Sequence, residues 1–425
     1  MTQGDYLPRA CCLFLTLAAF NMPAIADDTA SDEDPEVSAE MEEADADIMS
    51  MDVAGSLLDG ANRKGLVTFG ADVRGGYAWS DTDLRAGGSD QDDELKARLR
   101  VDGSWNPFET LRLTAGAAYI CSTNSCSPDA SLESGLAGDS IEPGKLTLDE
   151  FFLQWFRTEK FDLAVGRLQT RFVARGGVFA KSLDRNNSHN TTVNWTDGIH
   201  GTIKPGLGKG WVAHLISEYN DEDGTGSIRR APLDFSTSDS DFTHFIAFEN
   251  TQAWGYIVQR GFDISYLPDS LLKNGELGGR REDYWGLVAR AAARVPLRSG
   301  DRRLRFAGEI GYAPETPTRQ AVGTGSDGDA DGLAWNASVS LMDFFAAHSI
   351  GFLYGQTGAG WLLSPQYANN EEQIEIRWSW RHRSNFILDA RVRQREELDQ
   401  LITAQRKEKE LDFFLRATWR YSASD

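Results

Sequence analysis

The chain is poor in cysteine and proline and, beyond its first two dozen residues, has no long apolar run. Of 425 residues only 4 are Cys, and 13 are Pro against 41 Gly. No stretch of 18 apolar residues follows the N-terminus, which excludes a helical membrane protein. The mean hydropathy of -0.41 resembles that of a soluble protein. A β-barrel is not excluded by it, because only every second residue of a barrel strand needs to be apolar. Basic residues are missing from one whole region: Asp27 to Asp59 holds many acids and no Lys or Arg. Too little apolar surface is present there to offset chain entropy. Residues 27–63 are therefore expected to be an acidic, disordered or weakly helical segment. The formal net charge of -21 disfavours a nucleic-acid partner.

What is present at the N-terminus reads as an export signal. Arg9 supplies the positive start, Ala10 to Phe20 the apolar stretch, and Ala24-Ile25-Ala26 a small-x-small cleavage site. Residues 1–26 are the expected signal peptide, and 27–63 would then lie in the periplasm. Cys11 and Cys12 sit before or inside the apolar stretch, so neither is placed to become a lipidated first residue. Export leaves Cys121 and Cys126, in the run CSTNSC. An oxidising compartment favours a disulfide between them, as a staple on a long loop. A CxxxxC spacing without a nearby His supports neither a metal nor a redox site. No cofactor and no metal are expected.

From Gly65 onward the pattern changes to period-two alternation, the signal of β-strands. Val67, Phe69, Ala71, Val73, Tyr77 and Trp79 share one face, with Asp72 and Arg74 on the other. Leu95, Ala97, Leu99, Val101 and Trp105 alternate with Lys96, Arg98, Arg100 and Asp102. The pattern recurs to the last strand, where Leu411, Phe413, Leu415, Ala417, Trp419 and Tyr421 oppose Asp412, Arg416 and Arg420. Strands of about ten residues match a tilted crossing of a hydrocarbon layer. Short connections such as 106–109 and 381–385 alternate with long ones such as 171–195 and 356–370, and aromatics gather at strand ends. This is the layout of a transmembrane antiparallel up-and-down β-barrel of about 16 strands. The boundaries are 64–421 for the barrel and 422–425 for a C-terminal tail. A soluble sandwich would have shorter strands and one shared core.

Charges on the second face need water there, since a charge facing lipid is costly. The expected pore wall holds Arg74, Arg98, Arg100, Arg112, Arg290, Arg294, Arg377, Arg391, Arg393 and Arg416, together with Lys96, Arg305 and Arg420. Acids such as Asp72, Glu150, Glu309, Glu375, Asp389 and Asp412 share it. Cross-strand ion pairing that holds the wall in shape is the alternative role for each arginine. His200 and His214 are expected to face the lumen on neighbouring strands as pore-wall residues. The acidic run Asp327 to Gly332 starts like a calcium loop, but position twelve is Ser338 rather than Glu, so the pattern fails.

The segment 161–205 carries the most information. By strand count its long loop joins the fifth and sixth strands, flanked by Val165-Gly166-Arg167 and Thr196-Asp197-Gly198-Ile199. On these residues, and on a strand layout covering about 64–421, the chain resembles sixteen-stranded bacterial porins, including the general and phosphate-selective group. It departs from them in lacking a lysine-rich outer loop, and in the Ser-Ala-Ser-Asp that follows Tyr421. The resemblance implies that the loop folds inward and narrows the channel. Arg167, Arg171, Arg175, Lys181, Asp184, Arg185 and His189 would then line the constriction. Two roles stay open for them: drawing anions into the pore, or pinning the loop to the wall through acids such as Glu150.

The function so implied is passive diffusion of small hydrophilic solutes across a bacterial outer membrane, with a weak anion preference. Outer-membrane lipid and lipopolysaccharide are the expected surroundings, and a homotrimer is implied by the resemblance alone. The rival class is a barrel enzyme of lipase or protease type. It would need a nucleophile and base converging at the rim, and no GxSxG occurs.

Overall fold

The computed structural model describes residues 64–123, 126, 129–130, 145–158, 160–170, 172–184, 196–204, 210–219, 231–275, 279–297, 302–364 and 367–424. The expected signal peptide, the acidic segment, Arg171, Arg185 and His189 lie outside the described residues.

In chain order the strands begin with β1 (Val67–Asp83), β2 (Ser89–Phe108), β3 (Leu111–Ser122), β4 (Asp129–Ala130), β5 (Lys145–Thr158) and β6 (Phe161–Leu168). Next come β7 (Ala174–Gly176), β8 (Phe179–Lys181), β9 (Thr196–Ile203), β10 (Trp211–Tyr219), β11 (Phe242–Asn250) and β12 (Ile257–Leu272). The series ends with β13 (Arg281–Pro296), β14 (Arg303–Tyr312), β15 (Leu333–Phe345), β16 (His348–Thr357), β17 (Glu371–Arg383), β18 (Phe386–Glu397) and β19 (Lys409–Ser424). Apart from the short β4, β7 and β8, each pairs antiparallel with its neighbours, and β1 pairs with both β2 and β19. The result is a closed sixteen-stranded antiparallel barrel. Closure leaves no strand edge unpaired. With an even number of strands, both ends of the wall lie at the same rim as the short turns, among them Ala346–Ala347 and Ser384–Asn385.

Register explains why the alternation builds this shape. Val73 lies opposite Leu99 and Trp419, whereas Asp72 lies opposite Arg100 and Arg420. One phase therefore points the apolar row of these strands outward and the other points their charges inward. Phe69, Leu99, Ile310, Ile376 and Trp419 are exposed on the outside, while Arg98, Arg290 and Glu375 are buried on the inside.

Ten of the sixteen wall strands are longer than the ten residues expected, whereas β6, β9, β10 and β11 are shorter. β2 has 20 residues, and its first part, Ser89 to Glu94, is polar and mostly exposed. The ladder continues past the apolar belt because each strand still satisfies its neighbour's backbone groups. At the opposite rim β19 runs on to Ser424, which pairs with Thr68. The residues after Tyr421 thus lengthen the last strand.

The interior is not evenly polar. The segment 172–184, carrying the β7–β8 hairpin, joins β6 to β9, the fifth and sixth wall strands. It contributes Val178, Phe179 and Leu183 to a buried apolar cluster. Leu233 and Phe235, from between β10 and β11, enter the same cluster, as do Trp361, Leu362, Leu363 and Tyr367, from between β16 and β17. Inward-facing Tyr284, Val288, Met342 and Leu353 complete it. A barrel of this width would otherwise hold water. Here one side of the lumen has a packed core of its own.

Candidate functional site

The lumen is built from the inward face of the wall and the segments packed on it. Segment 172–184 is fastened at both ends and in between. At its base, Arg167 makes a two-pronged ion pair with Asp197, both bonds 2.8 Å, and donates a further hydrogen bond to the Leu148 carbonyl. The Gln259 amide bridges the Val173 carbonyl and the Arg175 N–H. Ser340 bonds the Gly176 carbonyl at 2.5 Å, and Arg377 donates to the Val178 carbonyl at 3.3 Å. Lys181 pairs with Glu375 at 2.8 Å. Asp184 lies 3.6 Å from Arg290, which also contacts Asp263 and Glu309. Of the expected constriction residues that are described, Arg167, Lys181 and Asp184 are engaged in ion pairs. Arg175 is held through its backbone.

The second inward segment, between β16 and β17, clamps the first. Trp361 donates its indole N–H to the Leu183 carbonyl at 2.9 Å, and Tyr284 bonds both Gly360 and Leu362. Their large side chains fit because the wall carries glycine where they land. A Cβ on Gly311 would come within 2.8 Å of the Trp361 ring, one on Gly351 within 2.6 Å of Phe179, and one on Gly286 would collide with Leu363. Nearer the long-loop rim, Asp234 accepts from Arg281 at 3.0 Å. Burial pushes the Asp234 carboxyl up, but the Ser236 hydrogen bonds and Arg281 outweigh it and hold the group below its usual range.

Charges divide the remaining wall into two regions. On β17, β18, β19, β1 and the start of β2, cations outnumber the carboxylates they touch. Asp72 meets Arg98 at 2.5 Å, Arg74 at 2.9 Å and Arg420 at 3.5 Å. Asp412 is shared by Arg391 and Arg393, and Glu375 by Arg377 and Lys181, while Asp389 takes Arg416. Arg377, Arg391, Arg393 and Arg416 keep 12–14% of their side-chain surface open. The guanidiniums of Arg391 and Arg416 both lie over the Phe414 ring. Around two other arginines of the wall the balance reverses. Arg100 meets both Asp149 (2.5 Å) and Glu150 (2.9 Å), and Arg290 is fully buried among its three acids. Arg112 is held by Asn106 and the face of Phe156, and Arg294 stands opposite Arg305.

Two smaller expectations can be located. His200 Nε2 and His214 Nδ1 are 3.1 Å apart, and Phe172 of the inward segment packs edge-on against both rings. Cys121 and Cys126 are joined by a disulfide, Cα atoms 4.5 Å apart, beside the Tyr119 hydroxyl.

No protein-family model matches the sequence, and no curated protein matches it. Solved structures do match. OprB of Pseudomonas putida, in a high-pH structure, has a TM-score of 0.54 at 11% identity, covering 86% of this chain and 96% of that one. OccK8 (OprE) of Pseudomonas aeruginosa has a TM-score of 0.52 at 11% identity, with 84% and 98% covered. OccD3 (OpdP) of the same organism has 0.50 at 11%, with 89% and 97% covered. The chain shares their barrel fold. These matches support a sixteen-stranded channel fold without pointing to the general or phosphate-selective group.

Sequence reasoning missed the inward segments beyond the first. The signal was present: Trp361-Leu362-Leu363 and Pro232-Leu233 are apolar runs inside connections expected to be water-facing.

Proposed function

We propose that the chain is an outer-membrane porin through which small hydrophilic solutes diffuse passively, with a preference for anions. The observation that carries the preference is the sharing of carboxylates on the β17–β1 side. Asp72 faces three guanidiniums and Asp412 two, so one negative charge serves several positive ones. Surplus cations on a water-filled, low-dielectric wall raise the local anion concentration and ease anion passage.

Membrane placement follows from the outward belt of Phe69, Leu99, Ile310, Ile376 and Trp419, since a closed barrel is the form in which strands can cross lipid. The matched structures are outer-membrane channels, which favours that membrane and lipopolysaccharide contact at the long-loop rim. Export through residues 1–26 and a periplasmic acidic segment fit the same reading. A homotrimer and a place in the general or phosphate-selective group are finer proposals that rest on the sequence resemblance. Size selection belongs to segment 172–184 and the Trp361 segment, which narrow the lumen from one side and leave the arginine-rich side as the passage.

Planar-bilayer recording of the purified protein tests this, with reversal potentials read in a salt gradient. Stepwise conductance with an anion-selective reversal potential is expected. Absence of discrete steps would refute the channel, and a cation-selective potential would refute the preference.

A further inference from the structure

Arg260 of β12 is a charge on the outer face of the barrel. It lies opposite Asn250 and Ala291, two residues before Phe262, so it shares the outward phase of that exposed ring. A cation facing lipid is costly at mid-membrane and cheap only near the edge of the hydrocarbon. Arg260 is at that edge, in the end of β12 next to the short turn from β11. Two tryptophans flank it. Its guanidinium carbon is 5.8 Å from the centre of the Trp211 ring on β10, and 5.6 Å from that of Trp254 in the turn. Both are within the range of cation–π attraction. Trp254 and its neighbour Tyr256 are 68% and 63% exposed, which places them where interfacial aromatics meet headgroups.

What Arg260 lacks is a counter-charge. Among the described residues its hydrogen bond is a long one, from Nη2 to the Gln252 carbonyl at 3.4 Å. No carboxylate pairs with it, and its buried Nε has no partner. Most of its N–H donors are therefore unspent. The rim around it is basic: Lys64, Lys160, Lys204 and Arg302 stand there against Glu109 and Asp343. Beside Arg260, the outward residues of β13 are Ala289, Ala291 and Ala293, with Gly308 of β14 opposite Ala291. Phe262 and Phe306 stand on either side of this low track.

We infer that Arg260, Trp211 and Trp254 form a binding site for the headgroup of an anionic phospholipid in the leaflet at the short-turn rim. The guanidinium fork takes two phosphate oxygens, the indoles flank it, and one acyl chain lies along the alanine track. A basic, partly desolvated pocket at headgroup depth is the kind of surface that holds such lipids. The site rests on the membrane placement argued above, but it faces away from the lumen and is independent of what the channel passes.

The test uses the full chain folded in detergent micelles, with phosphatidylglycerol, phosphatidylcholine or lipid A titrated in and bound lipids counted by native mass spectrometry. The first phosphatidylglycerol is expected to bind wild type about tenfold more tightly than the first phosphatidylcholine. R260Q is expected to raise the half-saturating phosphatidylglycerol concentration about tenfold. R260K, which keeps the charge and loses the fork, should fall between. K160Q removes a rim cation outside the tryptophan pair and should keep the wild-type value. Migration on unheated gels verifies that each variant is folded. If R260Q does not fold, R260K is read the same way, with a smaller rise expected. Equal half-saturation in wild type and variant overturns the site. Tighter binding of lipid A than of phosphatidylglycerol overturns the assigned lipid, and a changed subunit number in R260Q would make the surface a contact between copies instead. All three leave the porin reading standing, whereas a wild-type protein that enters no bilayer overturns the membrane placement itself.

Discussion

The Trp361 indole N–H donates to the Leu183 carbonyl at 2.9 Å, so two segments far apart in sequence hold each other inside the barrel. The ring also fills the space over Gly311. Replacing it by alanine removes a buried donor and opens a cavity, a loss of about 3–5 kcal/mol by comparison with other buried aromatics. The barrel ladder does not depend on it. W361A is expected to insert and to conduct more than wild type, with frequent current substates. W361F, which keeps most of the ring and loses the N–H, should fall between the two. Single-channel amplitude histograms decide this, and equal amplitudes for all three proteins would show that the contact does not set the passage.

The wall side of that packing gives a second prediction that leaves the inward segments' own sequence untouched. Gly351 sits beneath Phe179, Val178 and Ser340, and any Cβ there would lie within 2.7 Å of each. Backbone and side chains are tightly fitted on both sides, so the strain must move the β7–β8 hairpin. G351V is expected to resemble W361A in conductance and to insert normally. G75V, on the same barrel where no atom lies within 4 Å of the added Cβ, should conduct like wild type.

The barrel was legible because its two faces differ in every strand, and a period of two survives errors in strand boundaries. Arg290, Arg377, Arg391, Arg393 and Arg416 could be placed inward from alternation alone. Their partners were harder to read. Asp149 escaped notice because the β3–β5 register shifts at Gly116/Ala117, a bulge that turns both Asp149 and Glu150 to the inside. The apolar lumen core was hidden for a different reason. Trp361, Leu233 and Phe179 lie in connections, where periodicity carries no signal, and their sockets are glycines, which read as neutral. Inward-facing Gly286, Gly311, Gly351 and Gly355 were the available clue. The partners that fill these sockets are set by tertiary packing, which no local pattern encodes.

Charge sharing makes opposite predictions for two arginines of the same type. Removing Arg393 leaves Asp412 still paired with Arg391, so R393Q deletes surplus positive charge and little else. Removing Arg100 strands Asp149 and Glu150 together, exposing uncompensated negative charge inside the barrel. R393Q is therefore expected to reduce anion selectivity modestly. R100Q should push the reversal potential toward cations and lower thermal stability as well. The two shifts are read in one salt-gradient experiment, and a larger selectivity loss in R393Q than in R100Q would contradict the sharing argument.

Arg167 offers the sharpest separation between pinning and attraction, the two roles left open for the loop's basic residues. Its guanidinium spans Asp197 with two bonds and the Leu148 carbonyl with a third, a fork that lysine cannot reproduce. If pinning is its role, R167K and R167A should behave alike: both free the base of segment 172–184 and add current noise, with the reversal potential unchanged. If attraction is its role, R167K should keep wild-type selectivity and R167A should lose it. The observed bonding favours the first pattern. A D197N variant adds an independent check, because it weakens the pin while increasing the local positive charge. Pinning predicts that D197N grows noisy like R167A, whereas attraction predicts a quieter channel with stronger anion selectivity.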